Sequence, residues 1–269
     1  MTEPLQGEAR RKLLATLEQA FSLFCFFDYD GTLAEIASRP ELANPVQGTR
    51  EVLQALVDLP RVHVAIVSGR RVDEVRRLLE VRGAYYIGVH GAELLGPTGE
   101  RSTVPGLATV EPWLDHVRTR LSADVRQLQG VWLEDKQIAL VCHTRLAPAA
   151  VRPQAERIVL TLYEELQRAG APIQLLRGKC VFEFRPAGVD KGSAVVQLWQ
   201  RTAAAALPLY AGDDVTDEDA FRALETSGVT IRVGCNVSPT AARYCVDTPK
   251  DLLAFLRELL KARGKRAAS

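Results

Sequence analysis

The sequence predicts an α/β protein built on a parallel sheet with helices on both faces, interrupted by a smaller inserted α+β domain. Two observations carry this reading. Short apolar runs alternate with amphipathic stretches at both ends of the 269-residue chain, the rhythm of strands joined by crossover helices. Between about Pro105 and Pro186 the rhythm changes to paired strands separated by helices. The length lies near the roughly 250–300 residues at which single cores split, so one large domain with a smaller companion is expected.

The first strand is expected over Phe21 to Phe27, nearly all apolar, as a strand buried on both faces should be. A helix over Val46 to Leu59, a strand over Val62 to Val67, a helix over Val72 to Leu79 and a strand over Tyr85 to Val89 follow. The middle reads as helix Pro112 to Gln127, strands Val131 to Glu134 and Ile138 to His143, helix Pro148 to Arg168, and strands Ile173 to Leu176 and Val181 to Phe184. That order predicts a small mixed or antiparallel sheet with helices on one face. The end returns to helix Lys191 to Arg201, strand Pro208 to Ala211, a helix near Asp217 to Leu224, strand Val229 to Val233 and helix Asp251 to Leu260. The expected division is 1–104 and 187–269 for the larger domain and 105–186 for the insertion, with Gly- and Pro-bearing hinges at Gly96 to Gly106 and Arg185 to Gly188.

Lys and Arg number 34 against 33 Asp and Glu, which argues against a nucleic-acid binder dependent on dense positive charge. The expected partner is a small molecule, with no nucleic acid and no membrane. No run approaches the roughly 18 apolar residues of a membrane span, and no signal-type stretch follows the polar start. Cys25, Cys142, Cys180, Cys235 and Cys245 are scattered and form no C-x-x-C pair, so reduced thiols in a cytoplasmic protein are expected. The basic cluster Lys261, Arg263, Lys265 and Arg266 reads as a solvated tail. Trp113, Trp132 and Trp199 read as core residues.

The chemistry gathers at strand ends. Asp28-Tyr29-Asp30-Gly31-Thr32 leaves the first strand at its C-terminal edge, where ligands of open α/β sheets sit. Alone, this D-x-D-G-T also fits a capped turn. Gly212-Asp213-Asp214 and the acidic residues Asp217, Glu218 and Asp219 follow a later strand and fall at the same edge. A helix N-terminus favouring negative charge accounts for Asp217, Glu218 and Asp219, with Thr216 as its cap. It leaves Asp213 and Asp214 unexplained. Asp28, Asp30, Asp213 and Asp214 would repel one another without a cation between them, and carboxylates unaccompanied by His or Cys point to Mg²⁺. Magnesium shares itself with phosphate oxygens, so a phosphorylated substrate is expected. Ser68-Gly69-Arg70 after the next strand offers a hydroxyl and amides for phosphate. Lys191 offers a compact cation. No nucleotide-binding glycine loop or G-x-S-x-G elbow is present, which leaves a carboxylate as the nucleophile.

In order and spacing, Asp28/Asp30, Ser68, Lys191 and Asp213/Asp214 resemble the motifs of haloacid dehalogenase (HAD) superfamily phosphatases. More narrowly, Phe26 to Leu33, Ser68 to Arg70, Gly88 to Glu93, Gly178 to Glu183 with Arg185-Pro186, and Gly212 to Phe221 resemble trehalose-6-phosphate phosphatases. The resemblance implies a HAD-like Rossmannoid core with a C2-type cap that closes over the site and reads the sugar. It further implies hydrolysis of trehalose 6-phosphate in trehalose biosynthesis, with a functional link to a trehalose-phosphate synthase. Asp28 would be the nucleophile and Asp30 the acid and base, and Ser68 and Lys191 would complete the catalytic set. Mg²⁺ would be held by Asp28, the main-chain carbonyl of Asp30, Asp213 and Asp214. Gly69, Arg70, His90, Arg145, Lys179 and Glu183 would bind substrate, Lys179 and Glu183 from one side of a strand-like run. One departure stands out: His143-Thr144-Arg145 and Glu134-Asp135-Lys136-Gln137 occupy the places of H-Y-R and E-D-K-G. It leaves open a phosphatase for another sugar phosphate, such as a glycosyl-phosphoglycerate or sucrose phosphate. A non-catalytic sugar-phosphate sensor is the reading from a different class.

Overall fold

The computed structural model describes residues 2–37, 42–103, 107–178, 180–236 and 239–267. The chain divides into two compact units, 1–102 with 190–269, and 103–189.

The larger unit begins with β1 (Glu3–Pro4), α1 (Gly7–Gln19), β2 (Leu23–Asp28), α2 (Thr49–Val57), β3 (Val62–Val67), α3 (Val72–Leu79), β4 (Tyr85–Gly88), β5 (Glu93–Leu95) and β6 (Arg101–Thr103). The smaller unit contains α4 (Leu107–Val125), β7 (Trp132–Asp135), β8 (Leu140–His143), α5 (Arg152–Arg168), β9 (Ile173–Gly178) and β10 (Val181–Pro186). The larger unit then resumes with α6 (Lys191–Ala203), β11 (Leu207–Gly212), α7 (Glu218–Ala223), β12 (Val229–Val233), β13 (Tyr244–Val246) and α8 (Pro249–Ala267).

The large sheet runs β1-β13-β12-β11-β2-β3-β4-β5-β6. Its strands from β1 to β4 pair in parallel, and β5 pairs antiparallel to β4. All six residues of β2 are buried, and successive side chains enter opposite layers. Leu23, Cys25 and Phe27 pack with α1, α2 and α8, whereas Phe24 and Phe26 pack with α6 and α7. Double burial is why this strand reads as a continuous apolar run rather than an alternating one. From β2 the chain proceeds outward through β3 and β4 on one side, and later through β11, β12 and β13 on the other. The C-terminal end of β2 is therefore the topological switch point, where neighbouring connections diverge and leave a crevice.

In the smaller unit the sheet is wholly antiparallel, in the order β7-β8-β10-β9. Leu140, Cys142, Phe182, Phe184 and Ile173 face one way and pack against Leu114, Val117 and Leu121 of α4 and Val159, Leu162 and Leu166 of α5. The helices thus share one face.

Several expectations are corrected. The strand expected to come first is preceded by β1, and Phe21 lies before it, outside β2, 63% exposed with its ring under the Arg61 guanidinium. The last helix runs through the basic cluster rather than fraying. Arg263 is buried and donates to the carbonyls of Glu18 (3.1 Å) and Ala20 (2.5 Å), so it caps the C-terminal end of α1. Cys235 and Cys245 form a disulfide while Cys25, Cys142 and Cys180 are free. The crossover from β12 to its neighbour β13 brings the two cysteines' Cα atoms to 5.3 Å, within bridging distance. Trp132 is 42% exposed on the edge strand β7 and stacks on His143 of β8 at 3.7 Å. Its alternation partner Leu133 is the residue that faces the helices. Glu183 lies in β10, which begins at Val181. Lys179 itself lies outside the described residues. Among the described residues, no helix is long and apolar enough to cross a membrane.

Candidate active site

Asp28 is the last residue of β2 and is buried. The next residue, Tyr29, turns into the core and donates its hydroxyl to the Ala43 carbonyl at 2.6 Å, anchoring the chain as it leaves the sheet. Gly31 then adopts φ +81°, and a Cβ there would collide with the Asp213 carboxylate. Glycine is therefore needed for both conformation and space. Across the sheet, β11 ends at Gly212 beside β2, which brings Asp213 to the same edge.

Lys191 opens α6 and is buried. Its ammonium donates to Asp28 Oδ1 and Asp217 Oδ1, both at 2.7 Å. Asp217 also accepts from the Tyr210 hydroxyl at 2.6 Å on Oδ1, and from the amides of Asp213 and Asp214 at 2.9 Å on Oδ2. It is fully buried, so its role is not that of a solvated acid at a helix N-terminus. Asp214, not Thr216, stands at the N-terminal cap position of the turn that follows β11.

The site is short of positive charge. Burial pushes the Asp28 carboxyl well above its ordinary value; Lys191 opposes the shift, and Asp217 and Asp213 add to it. Burial, followed by repulsion from Asp217, raises Asp213 to about 7. Burial works against the Lys191 ammonium, but Asp217 and Asp28 outweigh it and hold the lysine above its ordinary value. Among the described residues, Asp28, Asp213 and Asp217 each offer an oxygen within 4.8 Å of the others. Carboxylate donors without His or Cys fit a hard divalent cation, which would also supply the missing positive charge.

Asp28 pairs in register with Val67 of β3, so Ser68 stands one residue beyond it at the same edge. The Ser68 hydroxyl accepts the Arg70 amide at 3.1 Å. His90 reaches this edge on a left-handed backbone, φ +55°, with its amide on the Ser68 carbonyl at 3.0 Å. Its ring packs where a Cβ on Gly69 would stand, so the glycine admits the imidazole. The buried Arg70 guanidinium grips both oxygens of Asp30, at 2.8 and 2.7 Å, and also pairs with Glu74. Such a bidentate fork fixes the carboxylate's orientation. Asp214 is exposed, and it is Asp217 that joins the three-carboxylate group.

In the smaller unit, buried Glu183 lies 3.5 Å from the Lys136 ammonium, and Glu134 Oε2 lies 2.8 Å from His143 Nε2. Arg145 is exposed, and its carbonyl accepts from Arg152. Asp217, which the sequence pattern assigns to a helix N-terminus, instead stands between Lys191, Tyr210 and the Asp213 and Asp214 amides.

A parallel sheet whose central strand ends in a lysine-paired aspartate, with further carboxylates from the neighbouring strand end, defines a haloacid dehalogenase-like fold. A haloacid dehalogenase-like hydrolase from Bacteroides thetaiotaomicron shares it, with a TM-score of 0.59 and 17% identity, covering 88% of this chain and 99% of that one. Within that class the chain belongs to the trehalose-phosphatase family, whose model matches residues 26–250. A trehalose-phosphate phosphatase of Mycobacterium marinum is 34% identical over 87% of this chain and 60% of its own length. The trehalose-6-phosphate phosphatase of Aspergillus fumigatus superposes with a TM-score of 0.73 at 28% identity, covering 97% of this chain and 100% of that one. The chain thus spans about three fifths of the length of the mycobacterial trehalose-phosphate phosphatases it matches.

Proposed function

We propose that this chain hydrolyses trehalose 6-phosphate to trehalose and inorganic phosphate through an aspartyl-phosphate on Asp28, with Mg²⁺ as the divalent ion. The observation that carries the reading is the Lys191 ammonium on Asp28 Oδ1 at 2.7 Å, in a site shared with Asp213 and Asp217. Lysine neutralises one oxygen of the nucleophile and leaves the other for attack on phosphorus. In the first step Asp28 forms a bond to phosphorus as the bond to the sugar oxygen breaks, and protonated Asp30 donates its proton to that oxygen. In the second step Asp30 takes a proton from water, the water oxygen bonds to phosphorus, and the bond to Asp28 breaks. Asp28, the Asp30 carbonyl and Asp213 would hold Mg²⁺, with Asp214 nearby, and the ion would supply positive charge to the phosphoryl group; Asp217, whose two oxygens each accept two hydrogen bonds, would hold Lys191 and the Asp213 and Asp214 amides in place.

Ser68, Gly69 and Lys191 receive the phosphate; Arg70, which holds both Asp30 oxygens here, releases one of them so that Asp30 can carry its proton to the leaving oxygen. His90, Arg145, Lys179 and Glu183 address the sugar. The substrate links the chain functionally to a trehalose-phosphate synthase.

The test is phosphate release from trehalose 6-phosphate, glucose 6-phosphate, sucrose 6-phosphate and a glycosyl-phosphoglycerate, each with Mg²⁺ or EDTA. Preference for trehalose 6-phosphate, abolished by EDTA and restored by Mg²⁺, is expected. Preference for another member of the panel would overturn the substrate, and turnover unaffected by EDTA would overturn the metal.

A further inference from the structure

One buried charge takes no part in these steps. Arg232 lies in β12, a strand otherwise made of Val229, Thr230, Ile231 and Val233, and every residue of it is buried. The parallel register sets Arg232 beside Gly212, the last residue of β11, immediately before Asp213. Its guanidinium donates to Glu218 Oε1 at 2.6 Å and to the main-chain carbonyl of Asp213. The other oxygen of Glu218 accepts the Ala241 amide at 2.8 Å, so the carboxylate is held at both ends. The amide of Asp213 is meanwhile held by Asp217. Both main-chain polar groups of Asp213 are therefore fixed by side chains, and its carboxylate accepts from the Thr32 hydroxyl at 3.4 Å.

We propose that Arg232, braced by Glu218, is a positioning residue for divalent-ion binding: through the Asp213 carbonyl it sets where the Asp213 carboxylate stands. The inference rests on Asp213 being a ligand of the ion. A buried ion pair is a weak source of stability, since apolar replacements of similar size are often neutral or favourable. Its position is what matters here, because partners that orient a ligand typically account for about 10- to 100-fold in metal affinity. Arginine suits the task because one planar group reaches two acceptors, whereas a lysine ammonium offers a single point of charge.

The experiment measures Mg²⁺ affinity of the full chain without substrate, by calorimetry and by competition with Mn²⁺ followed by electron paramagnetic resonance. The urea midpoint of every variant is recorded alongside. Arg232→Met with Glu218→Gln removes both charges of the pair together and leaves the Asp213 carbonyl without its donor. We expect this double variant to unfold cooperatively with a urea midpoint lowered only by the loss of the hydrogen bond to the Asp213 carbonyl, while its Kd for Mg²⁺ rises about 10- to 100-fold. A Kd within about twofold of native, on a scale where tenfold is 1.4 kcal/mol, would overturn the proposal. Should the double variant fail to fold, Arg232→Lys keeps the charge but not the two-pronged reach. It is expected to weaken Mg²⁺ binding as well, and a native Kd in Arg232→Lys would equally overturn the positioning role. Asp213→Asn separates the two levels of inference. If it binds Mg²⁺ as tightly as native, the ligand assignment falls and this proposal with it. If it loses binding while both Arg232 variants retain it, only the positioning role falls.

Discussion

Asp217→Asn removes one charge and turns one carboxylate oxygen into a donor. The native side chain accepts from Lys191 and Tyr210 on one oxygen and from the amides of Asp213 and Asp214 on the other. An amide has a single oxygen, so one pair of donors loses its acceptor whichever way the side chain turns. Each buried donor left unsatisfied costs about 1–3 kcal/mol, so two cost about 2–6 kcal/mol. Part of this is offset, because Asp28 and Asp213 are relieved of a neighbouring negative charge. A net loss of about 2–4 kcal/mol is expected, within the range for breaking a buried, hydrogen-bonded charge pair. Urea unfolding at pH 7 measures it as a shift in midpoint at constant slope. A shift worth less than about 0.5 kcal/mol, the usual size for an uninvolved surface position, would refute the view that Asp217 organises the site.

Two further perturbations separate backbone from electrostatics. Gly31→Ala should cost about 1–2 kcal/mol for the left-handed conformation, and it should reduce phosphatase activity far more than stability, because the new methyl displaces the Asp213 carboxylate; parallel losses in the two readouts would count against that contact. The Glu134 carboxyl lies below the ordinary glutamate value of 4.5, chiefly through its hydrogen bond with His143. A depressed carboxyl stabilises the fold fully above the unfolded value and loses that contribution as pH falls through the folded one. Glu134→Gln should therefore lower the melting temperature near neutral pH, by a margin that shrinks below pH 4.5; a margin independent of pH would contradict the assignment.

What the sequence disclosed follows burial. β2 is buried on both faces and therefore reads as an apolar run, and the motifs at its end and at that of β11 were legible because strand ends are short and chemically distinct. Asp217 was misassigned because acid in a first helical turn already has a sufficient cause in the helix dipole; only the fold shows Lys191 and Tyr210 converging on it. Trp132 was misplaced because alternation along an edge strand does not reveal which face the helices cover. The disulfide depends on β12 and β13 lying side by side, and Arg263 on α1 and α8 packing together. These are contacts between distant or looped segments, which periodicity does not encode. Arg232 passes unmarked within the expected strand Val229 to Val233, and only the sheet register, which sets it beside Gly212, shows what it holds.

The central claim is that Asp28 is the nucleophile for trehalose 6-phosphate. The direct measurement is phosphate release from that substrate with saturating Mg²⁺, by the native protein and by Asp28→Asn, each first shown to be folded by circular dichroism. The account requires turnover by the native protein and none above background by Asp28→Asn. Substantial turnover by a well-folded Asp28→Asn protein would contradict it.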